Sequence, residues 1–351
     1  MNILAIETSC DDTCAALVEI KHGRFNVLKN IVASQADLHK KYGGVVPEVA
    51  ARAHVETIIP VIKEAINSPS CIQGGVRGGL RGKRSIDAIA IASGPGLITS
   101  LHIGVETAKS LSLAWNVPLI KVNHIEGHIY SAIINNNISN LKFPAIALIV
   151  SGGHTELILM QNHGKYKLLG RTRDDASGEA FDKSAKMLSL PYPGGPEISK
   201  RAQKGNPYKY DIPKPMIHEK GYEFSFSGMK NAIRLLIEDI SHTDAPLERL
   251  YPDLCASIEQ AIVDVLVSKS IKAVEEYNPK TFILGGGVSA NKKLRKTLAN
   301  ALPKSTKFLI PELKYCMDNA SMVAVAGYFH AKKKEFIPYH KLKADANWEL
   351  V

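Results

Sequence analysis

His124 and His128 stand four residues apart in Lys-Val-Asn-His-Ile-Glu-Gly-His (121–128). On a helix this spacing puts both imidazoles on one side, where they could share a metal ion. A zinc protease of the His-Glu-x-x-His kind needs its glutamate directly after the first histidine. Here Glu126 comes two residues after His124, about 200° around a helix and facing away from the pair. Asp318, in Cys-Met-Asp-Asn-Ala just before the apolar residues 322–326, has two readings. It caps the helix that follows, or it is a third ligand that completes a two-histidine, one-carboxylate set with positions open for substrate.

Glycine-rich turns supply a second kind of chemistry. Ser-Gly-Gly-His (151–154) and Gly-Gly-Gly-Val-Ser-Ala-Asn (285–291) each follow an apolar strand-like segment. Glycine at such turns lets backbone N–H groups come close to a phosphate. Each turn also has an ordinary explanation: a hairpin at Gly152 and Gly153, or a strand-to-helix turn with Asn291 capping a helix near Lys292. Asp11 and Asp12 occupy the first turn of the chain. Carboxylates beside a phosphate loop hold a cation or order the loop, because alone they repel phosphate. Neither a P-loop lysine pattern nor Gly-x-Gly-x-x-Gly occurs, so neither P-loop nor Rossmann binding is indicated. Residues 174–196 read as an irregular active-site loop around a short helix at 179–189.

These turns need a scaffold. Residues 3–6, 7–13 and 15–20 read as strand, polar turn and strand, and residues 145–160 repeat that grammar. Between them lie a helical stretch at 47–67, a buried strand at 86–92, and a loop at 93–100 that leads into a helix through residue 114. Strand, loop and helix alternate, which is the α/β class in two lobes. At 351 residues and 45% apolar content the chain can build two cores. Its apolar segments are too short to span a membrane, and the early acidic residues read as a first strand and not as a signal peptide. Five cysteines without Cys-x-x-Cys spacing read as free thiols of a reducing cytoplasm. A formal charge of +10 favours a polyanionic partner such as RNA, with basic clusters at 292–296 and 332–334. Residues 68–85, rich in Gly and Arg, read as a mobile surface insertion. The tail 332–351 reads as loosely packed.

With those residues in view, the chain resembles the bacterial tRNA threonylcarbamoyltransferase family, TsaD, from residue 1 to about 329. The matching segments are Ile-Glu-Thr-Ser-Cys-Asp-Asp-Thr (6–13), Tyr-Gly-Gly-Val-Val-Pro-Glu (42–48), Ser-Gly-Pro-Gly-Leu (93–97), His-Ile-Glu-Gly-His (124–128) and Val-Ser-Gly-Gly-His-Thr (150–155). They continue with Gly-Glu-Ala-Phe-Asp-Lys (178–183), Tyr-Pro-Gly-Gly-Pro (192–196), Phe-Ser-Phe-Ser-Gly-Met-Lys (224–230), Gly-Gly-Gly-Val-Ser-Ala-Asn (285–291) and Asp-Asn-Ala (318–320).

The resemblance implies the two-lobed actin-like ATPase fold, each lobe ribonuclease-H-like, with lobes at 1–127 plus 312–351 and at 128–311. It implies transfer of threonylcarbamoyl from threonylcarbamoyl-AMP to the N6 amine of adenosine 37, just 3′ of the anticodon, in tRNAs that read ANN codons. It implies one divalent metal, iron (Fe2+) or zinc, on His124, His128 and Asp318. Ile149, Val150, Ser151, Gly152, Gly153, Asp182, Gly195 and Asn291 would bind the adenylate. Its partners would be tRNA, a TsaB-type paralogue and a TsaE-type ATPase, with no membrane. Many members carry Asp where this chain has Ser199, so that substrate contact changes character, and the 68–85 insertion departs from the family pattern. Asp11 is the candidate for orienting or deprotonating the amine. The rival readings are a small-molecule kinase or carbamoyltransferase of the same fold, and a silent scaffold, against which the intact His124, His128 and Asp318 argue.

Overall fold

The computed structural model describes residues 1–67, 85–134, 138–241 and 247–351. The 68–85 insertion therefore lies outside the described residues, save for Ser85. The chain divides into two compact units, residues 1–141 with 310–351, and residues 142–309. The first junction falls past the expected 127/128 because the helix His124–Ser131 runs through that point. A cut there would separate His124 from His128.

The first unit is built on a five-stranded sheet. Strands β1 (Asn2–Glu7), β2 (Asp12–Lys21) and β3 (Arg24–Ser34) form an antiparallel meander. Strands β4 (Ala88–Gly94) and β5 (Leu119–Asn123) extend it in parallel from β1, giving the order β3-β2-β1-β4-β5. Because side chains alternate along a strand, β1 feeds two cores. Leu4 and Ile6 join Ile89, Ile91 and Leu119 against Ile58, Ile62 and Ala65 of helix α2 (Pro47–Ile66) and Val105 and Ala108 of helix α3 (Ile98–Trp115). The other face takes an apolar helix near the C-terminus. Its Gly327 lies so close that an added Cβ would come 2.8 Å from Ala90 Cβ. Helix α1 is the short Ala36–Lys40, and α4 is His124–Ser131.

The second unit repeats this plan. Strands β6 (Ala145–Val150), β7 (Thr155–Asn162) and β8 (Lys165–Arg171) form the antiparallel meander. Strands β9 (Thr281–Gly285) and β10 (Lys307–Leu309) add in parallel, in the order β10-β9-β6-β7-β8. Both β4 and β9 are buried along their whole length, as expected for parallel strands covered on both faces. Among the described residues this unit also holds the helices α5 (Ser177–Met187), α6 (Gly194–Ala202), α7 (Ser227–Ser241), α8 (Leu247–Tyr277) and α9 (Lys292–Ala301). Helix α10 (Ala320–Lys332) belongs to the first unit. No helix among the described residues is long and apolar enough to cross a membrane.

The tail is a correction to the sequence reading. Ile337 pairs with Leu119 at the edge of β5, and Leu342 is fully buried in the first unit's core. Its composition reads as loosely packed, but Ile337, Leu342 and Ala344 supply an apolar face at irregular spacing.

Candidate functional site

Helix α4 starts where β5 ends, and Asn123 makes that turn. Its Oδ1 accepts from the N–H groups of Ile125 at 2.9 Å and Glu126 at 3.3 Å, an N-cap that fixes where the helix begins. One turn of helix then sets His124 and His128 side by side, their rings 4.6 Å apart edge to face. Asp318 approaches both: its Oδ1 lies 3.6 Å from His124 Nε2 and 3.2 Å from His128 Nε2. The cap of α10 is Asn319, whose Oδ1 accepts from Met322 N–H at 3.0 Å. That answers the open question about Asp318: its neighbour does the capping, and the aspartate turns to the histidines.

One candidate ligand atom from each of the three residues lies within 4.8 Å of the other two. A cation held at ordinary metal–nitrogen and metal–oxygen lengths separates its ligand atoms by roughly 3.0–3.4 Å; the 3.2 Å to His128 falls in that range, and the 3.6 Å to His124 is a few tenths of an ångström longer. An orphan atom supports the same fit. His128 is fully buried, and among the described residues its ring nitrogens meet no polar group but Asp318, 3.2 Å from Nε2. Leaving a buried imidazole unmet costs about 1–3 kcal/mol, and coordination would remove that cost.

Glu7 and Ser9 hold the opposite side of His124. Glu7 Oε2 lies 2.9 Å and Ser9 Oγ 3.1 Å from His124 Nδ1, while Glu7 Oε1 accepts from the Ser9 N–H. A carboxylate at Nδ1 holds a ring proton there and makes Nε2 the nitrogen a metal would take, in exchange for its proton. Burial disfavours a charged His124, but Glu7 and Asp318 outweigh it and lift the pKa to about 9. Burial pushes His128 down; the Asp318 carboxylate acts against this, and the neighbouring His124 adds to the lowering. Neither Glu7 nor Ser9 was singled out in the sequence. The signal was present: Glu7 ends a strand that is otherwise apolar from Ile3 on, so its carboxylate is buried.

The acidic turn sits beside this cluster. Asp11 is half-buried with the Cys10 thiol against its carboxylate, and burial, then Asp11 and Asp318, push that thiol well up. Asp12 is raised to about 7 by burial and then by Asp318. A knot of carboxylates beside two histidines is the electrostatic setting a divalent cation relieves.

In the second unit the residues expected to bind adenylate divide into backbone and side-chain contributors. Ile149 and Val150 are fully buried strand residues, so only their backbone can face a ligand. Ser151 accepts from the His154 N–H with its Oγ at 3.1 Å and donates its own N–H to the His154 carbonyl at 2.8 Å, which closes the turn. Gly152 and Gly153 are exposed, and a Cβ at either would meet nothing. Gly286 does require glycine: its φ is +85°, and a Cβ would lie 2.3 Å from the Val150 carbonyl oxygen.

Asp182 Oδ1 accepts the Gly194 N–H at 2.7 Å at the start of α6. Burial raises its pKa, and the N–H groups of Gly194 and Gly195 act against that. Asn291 is heavily committed. Its Oδ1 caps α9 at Leu294 N–H, and its Nδ2 donates to Ser199 Oγ at 3.0 Å and to buried Glu259 Oε1 at 2.7 Å. Ser199 thus stays within the same network despite the change from aspartate. Asp174, from the loop before α5, caps α7 from a distance through the N–H groups of Phe226 and Ser227 and the hydroxyls of Ser225 and Ser227.

Residues 26–325 match the family model TsaD, tRNA N6-adenosine threonylcarbamoyltransferase. A protein of that name from Bacillus subtilis is 46% identical, over 93% of this chain and 90% of the relative. One from Thermomicrobium roseum is 45% identical, over 95% and 93%. Among solved structures, HypF of T.kodakarensis aligns with a TM-score of 0.57 at 15% identity, over 95% of this chain and 48% of that one. The activator of 2-hydroxyisocaproyl-CoA dehydratase from Clostridium difficile, with bound ADPNP, aligns with a TM-score of 0.52 at 10% identity, over 95% and 97%. Those two likenesses concern the fold alone, the two-lobed actin-like ATPase fold. The chain belongs to the TsaD family of tRNA N6-adenosine threonylcarbamoyltransferases.

Proposed function

We propose that this chain transfers the threonylcarbamoyl group of threonylcarbamoyl-AMP to N6 of adenosine 37 in tRNAs reading ANN codons, using one divalent metal, iron (Fe2+) first and zinc as the alternative. The observation that carries this reading is the convergence of His124, His128 and Asp318, with a buried His128 lacking any other partner, in a chain of this family. A two-histidine, one-carboxylate set leaves positions open for substrate oxygens and suits iron(II).

In the reaction the N6–C bond forms as the bond between the carbamoyl carbon and the phosphate oxygen breaks, and AMP leaves. Because the donor is a mixed anhydride, the enzyme must mainly position the amine and stabilise charge. A bound divalent ion supplies Lewis-acid stabilisation of donor oxygens. Backbone N–H groups of Gly152 and Gly153 hold the phosphate, in a turn that Ser151 closes, and Asp182, Gly195, Ser199 and Asn291 hold the rest of the adenylate. Asp11 is the candidate that orients the amine or takes its proton. The +10 charge attracts the tRNA backbone, and a TsaB-type paralogue and a TsaE-type ATPase complete the system.

The test is to incubate the protein with threonylcarbamoyl-AMP, tRNA and those partners, then analyse digested nucleosides by mass. Threonylcarbamoyladenosine formed with the wild type and lost with His128→Ala supports the reading. Transfer of the label to a small acceptor while tRNA stays unmodified refutes it.

A further inference from the structure

We infer that the C-terminal residues Asp345, Ala346 and Trp348 are a positioning element for the metal-binding helix α4; the inference rests on the metal reading above. These residues lie beyond the stretch matched by the family model, which ends at residue 325. Two routes join them to His124.

The first route runs through Asn123, which is 1% exposed. Its Oδ1 caps α4, so the amide has one working orientation, and its Nδ2 then points away from the helix. The acceptor there is the Trp348 carbonyl, at 3.0 Å. That bond fixes the amide flip that makes Asn123 a cap. Lys121, two residues earlier on β5, sets its Nζ 3.8 Å from the centre of the Trp348 ring, a cation–π contact that seats the same residue.

The second route runs through the loop before α3. Asp345 N–H donates to the Ser93 carbonyl at 2.8 Å, and Gly96 N–H donates to the Ala346 carbonyl at 3.2 Å. The approach is so close that a Cβ on Gly94 would lie 1.8 Å from the Asp345 carbonyl oxygen. On its other side this loop holds Ser9, since Leu97 N–H donates to the Ser9 carbonyl at 2.7 Å. Ser9 Oγ is one of the two partners of His124 Nδ1. The C-terminal segment thus braces both the start of α4 and the group that orients its first histidine. Leu342, buried in the core, anchors the segment just upstream.

The experiment compares four full-domain proteins: wild type, a chain ended after Ala344, Asn123→Asp, and His128→Ala. Ending after Ala344 keeps Leu342. Asn123→Asp keeps the capping oxygens but cannot donate to the Trp348 carbonyl. Two readouts are taken: amide hydrogen exchange at Ile125 and Glu126 in metal-free protein, and Co2+ titration followed by the visible d–d bands. The expected result is faster exchange at both amides and Co2+ binding weakened about tenfold, the scale of a lost outer-shell partner, in both the shortened chain and Asn123→Asp. Unchanged exchange and unchanged Co2+ affinity in a folded shortened chain overturn the inference; should that chain fail to fold, the same result in Asn123→Asp overturns it. Failure of the metal reading looks different. Co2+ would then bind wild type and His128→Ala alike, whatever the exchange at Ile125 and Glu126.

Discussion

Replacing His330 should destabilise the protein by an amount that depends on pH. His330 lies on α10, donating from Nε2 to Glu126 Oε2 at 2.7 Å and from Nδ1 to Glu335 Oε2 at 2.6 Å. A ring that donates from both nitrogens is an imidazolium. Burial disfavours that charge, but the Glu126 bond, and then Glu335, outweigh it and lift the pKa to about 9. A histidine whose folded value lies above its unfolded one stabilises fully below the unfolded value. That stability is lost as pH rises through the folded value, so the window runs from about 6.5 up to about 9. The gap corresponds to at most about 3 kcal/mol, lost at no more than about 1.4 kcal/mol per pH unit. The Glu126 arm carries most of it, since Glu126 is 3% exposed whereas Glu335 is 49% exposed and screened. His330→Gln should therefore cost about 2–3 kcal/mol at pH 6 and much less above pH 9.5. Urea unfolding of chelator-treated protein from pH 5.5 to 10 measures this. If the variant is equally destabilised at pH 6 and pH 9.5, the imidazolium assignment is wrong.

Other outcomes follow from the same geometry. His124→Ala and His128→Ala should each abolish stoichiometric divalent metal with the fold retained, because two protein ligands are too few for tight binding; metal analysis after gel filtration checks this. Glu7→Gln removes the charge at His124 Nδ1 while keeping an acceptor, and should weaken Co2+ or Zn2+ binding about 10–100-fold, read by competition with a chelating dye. Asp174→Ala should lower stability by about 1 kcal/mol as a lost cap. Because hydrogen bonds to its carboxylate hold its pKa below the ordinary range despite burial, the wild type's advantage should be present at neutral pH and fade as pH falls through that depressed value. Asp182→Ala and Asn291→Ala should each weaken ATP or donor binding by about 1–3 kcal/mol in calorimetry; stability loss with unchanged affinity would leave them as caps alone.

Much of the fold was legible because its signals were local. The strand–turn–strand grammar at 1–20 and 145–160 became β1–β2 and β6–β7, and the one-turn spacing of His124 and His128 survived intact. What stayed hidden depended on distant partners. Nothing near Asp318 reveals that Asn319, one residue on, takes the cap and frees it. Nothing near Asp174 points to Ser227, 53 residues away. The tail misled most: a mix of lysines and aromatics reads as loosely packed, yet backbone groups of Asp345, Ala346 and Trp348 hydrogen-bond to Ser93, Gly96 and Asn123, and backbone groups carry no compositional signal. The 127/128 boundary came with the resemblance, and it falls inside a helix that continues to Ser131.

The two sheets share one topology, yet their first turns differ in charge, and that difference argues for different tasks. The turn after β1 carries Asp11 and Asp12 beside buried Glu7. At about 4 Å, each carboxylate would repel a phosphate charge by several kcal/mol in a partly buried site. Such a turn tolerates an anionic ligand only when a cation stands in front of it, and His124, His128 and Asp318 are the groups next to it that can hold one. The turn after β6, Ser-Gly-Gly-His, has no carboxylate and exposes two glycines, so it can meet a phosphate with bare N–H groups. One scaffold thus offers a cation-dependent turn and a cation-free one. The consequence is testable in the donor: removing the metal should weaken engagement of the carbamoyl end far more than binding of AMP, whose affinity should survive chelation. Loss of AMP binding on chelation would place the metal in nucleotide binding instead and would undo this division.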